Sequence, residues 1–181
     1  MPLADLAAFA LERASLRALA FSAFSALALA RASWRALALA AQAMYLTSPN
    51  PRVGCVITDA QGQVLGEGHT QAAGQAHAEI MALRDAQARG HSTQGATAYV
   101  TLEPCCTHGR TPPCTEAIKA AGIKRVVFGT HDPNPKHHEQ CRNIFMLAGI
   151  EVTSGVLEAE CKAMIRPFAK WITTGIPYVI A

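Results

Sequence analysis

Apolar positions alternate between two rhythms along this chain. From Ser33 to Tyr45, Trp34, Leu37, Leu39 and Met44 recur at helical spacing, and Thr47-Ser48-Pro49-Asn50-Pro51 then breaks the helix. Val53-Gly54-Cys55-Val56-Ile57 is a short buried strand, Asp59-Ala60-Gln61-Gly62 a hairpin turn, and Val64 to Gly68 the return strand. Ile80 and Leu83 mark the start of a helix over Ala76 to Leu83, and Ala96 to Leu102 reads as another strand. A second helix, Cys114 to Ala121, is introduced by Pro112-Pro113 and closed by Gly122. Lys124 to Phe128 is a further strand, a helix crosses Gln140 to Ala148, and Ile150 to Thr153 is the last strand before a helix over Ala159 to Trp171. Strands that alternate with helices predict an α/β layer architecture with a mixed sheet.

Composition narrows the class. At 181 residues the chain has room for one domain with a sizeable core and a fragment of a second. Half of it is hydrophobic and 16% charged, which is globular rather than disordered. A net charge of +3 without any Lys/Arg run gives no reason to expect a nucleic-acid partner. Residues 1–32 are rich in Ala, Leu and Ser and read as a helical extension. Asp5 and Glu12 argue against a transit peptide, and Leu19 to Ala30, interrupted by serines, is too short to span a bilayer, so no membrane role is expected. Arg13 and Arg17 precede that apolar run and leave a secretory signal open. The six cysteines lack the spacing of a small disulfide scaffold, which favours a reducing cytoplasm.

Candidate chemistry gathers around Thr101-Leu102-Glu103-Pro104-Cys105 and Cys114, taken with His77-Ala78-Glu79. Catalytic zinc takes three protein ligands and keeps a fourth position for water, so His77, Cys105 and Cys114 are the expected ligands. Glu79 is then free to move protons for an attack by water on an amidine-like ring carbon. His77 and Cys114 both fall near predicted helix N-termini, where the dipole favours thiolate. A closed structural zinc site would need a fourth ligand and short Cys-x2-4-Cys spacing, and that spacing is absent. The pattern is similar to the His-x-Glu and Pro-Cys-x-x-Cys signature of zinc deaminases, with the cysteines further apart.

Five motifs in order carry a more specific resemblance: Ser48 to Val56, His77-Ala78-Glu79, Thr101 to Cys105, Gly109-Arg110-Thr111-Pro112-Pro113-Cys114, and Asp132-Pro133-Asn134-Pro135. Together they resemble the deaminase domain of the bifunctional riboflavin-biosynthesis deaminase/reductase, from about Trp34 to about Tyr178. The resemblance implies a cytidine-deaminase-like three-layer α/β/α fold with a central mixed sheet. It implies one zinc per site and hydrolytic deamination of a small phosphorylated pyrimidine, 2,5-diamino-6-(ribosylamino)pyrimidin-4-one 5'-phosphate. By matching motif, Asn50 would contact base or ribose, Asp132 and Asn134 would line the pocket, and Arg110 would meet the phosphate. It divides the chain into the extension 1–32, a deaminase domain 33–153, and a segment 154–181 holding a connecting helix and the start of a reductase domain. Thr173 to Ile180 resembles the first strand of that domain. No Gly-rich dinucleotide loop appears, so no NADP site is expected in this chain, and a separate reductase and a homo-oligomer are the partners the resemblance suggests.

The chain departs from the family at three places. Thr70 and Thr107 stand where the family has histidines, with His69 and His108 beside them, and which neighbour meets substrate stays open. Lys136-His137-His138-Glu139-Gln140-Cys141 replaces a glycine-bearing turn, and its paired histidines are expected to be solvent-exposed rather than a second metal site. A deaminase of another base or nucleoside and a non-catalytic zinc-binding relative remain as alternative readings. The first should lack Gly109 to Pro113, which is present.

Overall fold

The computed structural model describes residues 25–109, 111–134 and 140–179. Most of the expected N-terminal extension, together with Arg110, His137 and His138, lies outside the described residues.

The first helix, α1, covers residues 25–42, so helix is already present before Ser33, where the apolar spacing placed its start. The hairpin follows as β1 (Gly54–Thr58) and β2 (Val64–His69). Asp59 makes its turn: Oδ1 accepts the N–H groups of Gln61 and Gln63, and Gly62 takes a φ of 81°, which glycine adopts without steric cost. Then come α2 (Ala78–Ala88), β3 (Thr97–Leu102), α3 (Cys114–Ala120), β4 (Arg125–Thr130), α4 (Gln140–Leu147) and β5 (Glu151–Ser154). Each matches its expected position to within a few residues.

The five strands form one sheet in the order β2-β1-β3-β4-β5. β1 pairs antiparallel with β2 and β3, whereas β3, β4 and β5 are parallel, which makes the sheet mixed as expected. One face carries Cys55, Ile57, Ala98, Val100, Val126 and Phe128 against α2, α3 and α4. The other carries Val56, Tyr99 and Val127 against Ala32 and Ala36 of α1. This is the α/β/α sandwich. The strands show little period-2 polarity because both faces are covered.

The C-terminal part departs from the single expected helix. Two helices, α5 (Glu158–Met164) and α6 (Arg166–Thr174), meet at Ile165, with Pro167 in the first turn of α6. A proline ring removes one N–H and fits only a first turn, so the chain restarts there instead of running on. Thr173 and Thr174, read as the opening of a strand, close α6: their hydroxyls donate to the carbonyls of Ala169 and Lys170, and Gly175 ends the helix at a φ of 68°. A strand needs a ladder partner, and none of the described strands pairs with this segment.

Candidate metal centre and substrate cavity

Topology brings the candidate residues to one edge of the sheet. Because β3 and β4 are parallel, the loops that follow them emerge side by side, and these loops hold Cys105 and Asp132. His77 is the N-cap residue of α2, and Cys114 opens α3 directly after Pro113. The backbone fastens the Cys105 loop to α3: Thr115 N–H donates to the Cys105 carbonyl at 3.2 Å, and Cys114 N–H donates to the Cys105 Sγ at 3.3 Å.

His77, Cys105 and Cys114 converge, with one ligand atom from each and all three within 4.8 Å of one another. The His77 Nδ1 lies 3.5 Å from the Cys105 Sγ and 3.4 Å from the Cys114 Sγ. Zn–S bonds of ~2.3 Å and Zn–N bonds of ~2.0 Å at a tetrahedral angle separate S and N by about 3.5 Å. The donor set therefore fits zinc in both chemistry and spacing. The Cys105 thiol is pulled down because the Cys114 thiol and the His77 ring hydrogen-bond to it, and the Cys114 thiol is pushed up as the partner that keeps its proton. The same contact with Cys105 raises His77.

Glu79 lies in the first turn of α2 and is 4% exposed. Burial, helped by the charge of Cys105 and opposed by His77, pushes its carboxyl up to about 7. A buried carboxylate next to a metal-ligand trio is an arrangement suited to proton transfer.

These groups share a cavity of about 270 Å³, lined by His77, Glu79 and Cys105 and by the expected Asn50, Asp132 and Asn134. Asn50 is set by a turn in which its N–H donates to the Thr47 carbonyl at 2.7 Å, and the Thr47 hydroxyl donates to the Asn50 carbonyl. Asp132 Oδ1 accepts the N–H of Asn134 at 2.9 Å, an Asx turn that gives the Asp-Pro-Asn motif its shape. Cys114 is fully buried behind the cavity wall. Thr70 lines the cavity, whereas the His69 ring sits on the Thr70 carbonyl and the Gln71 side chain, and His108 is exposed. Cys141 is buried in the core under the sheet rather than facing solvent. Among the described residues no other group of His, Cys, Asp or Glu is placed to hold a metal.

Among the lining residues that the sequence did not assign to the site are Glu103, Phe168 and Ile172. Glu103 was in view only as part of a motif. Phe168 and Ile172 are four apart on α6, the i, i+4 signal of one face, but nothing local says that this face meets the cavity. Arg52 helps to bring it there by donating to the Met164 carbonyl at 3.0 Å, which ties the Asn50 loop to the α5–α6 junction.

The fold and the donor trio define a deaminase-type zinc domain. Residues 29–130 match the family model described as the cytidine and deoxycytidylate deaminase zinc-binding region. The chain is 48% identical over 140 residues to the riboflavin biosynthesis protein RibD of Escherichia coli, covering 77% of this chain and 37% of that protein. It is 43% identical over 133 residues to the diaminohydroxyphosphoribosylamino-pyrimidine deaminase of Buchnera aphidicola subsp. Schizaphis graminum, covering 74% of this chain and 88% of that one. The crystal structure of a diaminohydroxyphosphoribosylaminopyrimidine deaminase/5-amino-6-(5-phosphoribosylamino)uracil reductase from Thermotoga maritima superposes with a TM-score of 0.79 at 42% identity, over 83% of this chain and 43% of that one. The chain belongs to the cytidine and deoxycytidylate deaminase zinc-binding family and, within it, to the riboflavin-biosynthesis RibD-type deaminases. It spans 37% of the length of the Escherichia coli relative. No described helix is long and apolar enough to cross a membrane.

Proposed function

We propose that this chain catalyses the hydrolytic deamination of 2,5-diamino-6-(ribosylamino)pyrimidin-4-one 5'-phosphate, giving the 5-amino-6-ribosylaminouracil phosphate and ammonia. The observation that carries the proposal is the convergence of His77, Cys105 and Cys114 beside buried Glu79 in one cavity. The names of the relatives supply the substrate class.

His77, Cys105 and Cys114 would hold the zinc, which supplies a water acidic enough to attack at neutral pH. Glu79 takes the proton of the attacking water and delivers it to the ring nitrogen beside the amino-bearing carbon. It then takes the proton of the added hydroxyl and passes it to the amine, which leaves as ammonia while the carbon becomes a carbonyl. Asn50 contacts base or ribose, and Asp132 and Asn134 form the wall of the pocket. Arg110, outside the described residues, grips the phosphate, since a guanidinium matches phosphate oxygens bidentately. None of the six cysteines is in a disulfide and two are assigned to the metal, and a reducing cytoplasm belongs to this reading. A homo-oligomer and a reductase acting on the product belong to the same reading.

The test is ammonia release by the zinc-loaded protein on this substrate, with Glu79→Gln alongside. The variant should keep its zinc and lose turnover by about 10²-fold or more. Absence of turnover by native protein that carries one zinc per chain would overturn the substrate and move the search to other amino-substituted bases.

A further inference from the structure

The Thr101 to Cys105 motif contains a buried acid that the chemistry above does not use. The Glu103 side chain is 1% exposed, yet the residue lines the substrate cavity between Leu102 and Cys105. It stands one residue past the end of β3, where its backbone N–H still bonds to the carbonyl of Thr130, the last residue of β4, at 2.8 Å. Beyond Thr130 the β4 chain leaves regular structure, and from there the Glu103 side chain takes over. Oε2 accepts the Asp132 N–H at 3.2 Å and the His131 Nδ1–H at 3.0 Å, while the His131 ring stands edge-on to Phe128 at 5.1 Å. The ladder between β3 and β4 is in effect continued by a carboxylate for two further residues.

We infer that Glu103 is a positioning residue of the substrate cavity, its carboxylate fixing the His131–Asn134 loop so that Asp132 is held in the cavity wall. The inference rests on the proposed contact between Asp132 and substrate. Asp132 is 7% exposed, and its own carboxyl is oriented by Asn134 N–H, so an error in the backbone at Asp132 is passed directly to the cavity wall. A carboxylate suits the place because two donors converge on one oxygen. The other oxygen, Oε1, is buried, and the Cys141 thiol is hydrogen-bonded to the same carboxylate. A glutamine can keep one acceptor at the Oε2 position only by burying its NH2 at the Oε1 position, in place of an oxygen.

The test uses Glu103→Gln, Asp132→Asn and the double variant of the zinc-loaded full chain. It reads zinc content, kcat and KM separately, and amide hydrogen exchange at Asp132. Glu103→Gln should retain one zinc per chain, keep kcat within about threefold, raise KM about tenfold, and speed exchange of the Asp132 amide at least tenfold. In the double variant KM should stay within about twofold of Asp132→Asn alone, because both changes act through one contact. Exchange at Asp132 that is unchanged in Glu103→Gln overturns the tether, whatever the activity does. KM effects that multiply in the double variant overturn the route through Asp132. An unchanged KM in Asp132→Asn overturns the substrate contact itself, and the exchange measurement, which needs no substrate, then decides the tether alone.

Discussion

Gly54 in β1 lies so close to α1 that a β-carbon there would come within 1.9 Å of the Ala36 carbonyl oxygen and 2.8 Å of the Ala40 nitrogen. Both atoms belong to backbone, so neither can swing aside. The approach is matched on the helix by Ala32, Ala36 and Ala40, which are buried and spaced four apart. Gly54→Ala should therefore destabilise by about 3 kcal/mol or more, lowering Tm by roughly 6–12 °C. A thermal melt within 2–3 °C of native would show that α1 can lift off the sheet at little cost.

On the opposite face Gly66 of β2 plays the same part for α2. A β-carbon there would meet the Ala82 carbonyl oxygen at 2.3 Å and the Ala86 nitrogen at 2.5 Å. Here the displaced helix carries His77 and Glu79 at its start, so Gly66→Ala should lower turnover as well as stability. We expect turnover to fall about tenfold in protein that is still folded, since a shift of about 1 Å in a catalytic group is costly. Full turnover at a temperature well below the melt would sink the argument.

How much of this was legible in the sequence follows from what each signal encodes. The His-Ala-Glu and Pro-Cys motifs are local, and their residue types are dictated by metal chemistry, so His77, Glu79, Cys105 and Cys114 could be chosen before any fold was known. The strands were equally plain as short apolar runs bounded by turns. Asp132 and Asn134 were reachable only through family likeness, since an Asp-Pro-Asn turn looks the same wherever it sits. Phe168 and Ile172 were not reachable, because what puts them in the cavity is the long-range bond from Arg52 to Met164. The break at Ile165 was foreshadowed by Pro167, which the helical period alone overrode.

Phe168 supplies an apolar part of the cavity wall away from the sheet, and a planar pyrimidine ring is a natural ligand for such a surface. Phe168→Ala should raise KM about tenfold, by ~1.4 kcal/mol, while zinc content is unchanged. Trp171, exposed on α6 and outside the cavity lining, is the control and should leave KM as it is when changed to Ala. Equal KM values for native protein and Phe168→Ala would remove α6 from the substrate site.

Thiol chemistry separates the ligands from the other cysteines. Burial pushes the Cys161 thiol up to about 12 and raises Cys55 and Cys141 as well, so all three should be nearly inert to a thiol reagent at pH 8. Cys106 is the partly exposed thiol outside the donor trio. Zinc-loaded protein should therefore react at about one thiol, chelator-treated protein at about two as Cys105 is freed, and unfolded protein at all six of the chain's cysteines. Mass mapping of the modified peptides checks the assignment. Rapid labelling of Cys105 or Cys114 in protein with its full zinc would contradict their role as ligands.

Removal of zinc should also cost stability, because the three donors join the start of α2 to the Cys105 loop and the start of α3. His77 begins α2, Cys105 lies in the loop after β3, and Cys114 begins α3, so one ion would pin two helix ends and a loop together. A ligand present at about a thousand times its Kd stabilises the folded state by ~4 kcal/mol, and each kcal/mol is worth about 2–4 °C in a chain of this size. Chelation should lower Tm by roughly 8–16 °C, and zinc added back should restore it. Cys114→Ala should begin near the lower Tm and respond to neither treatment, which separates loss of the ion from a general effect of the chelator. Metal analysis must accompany the melts. A Tm that holds steady while the zinc demonstrably leaves would mean that packing alone assembles the trio, and that the ion serves only the reaction.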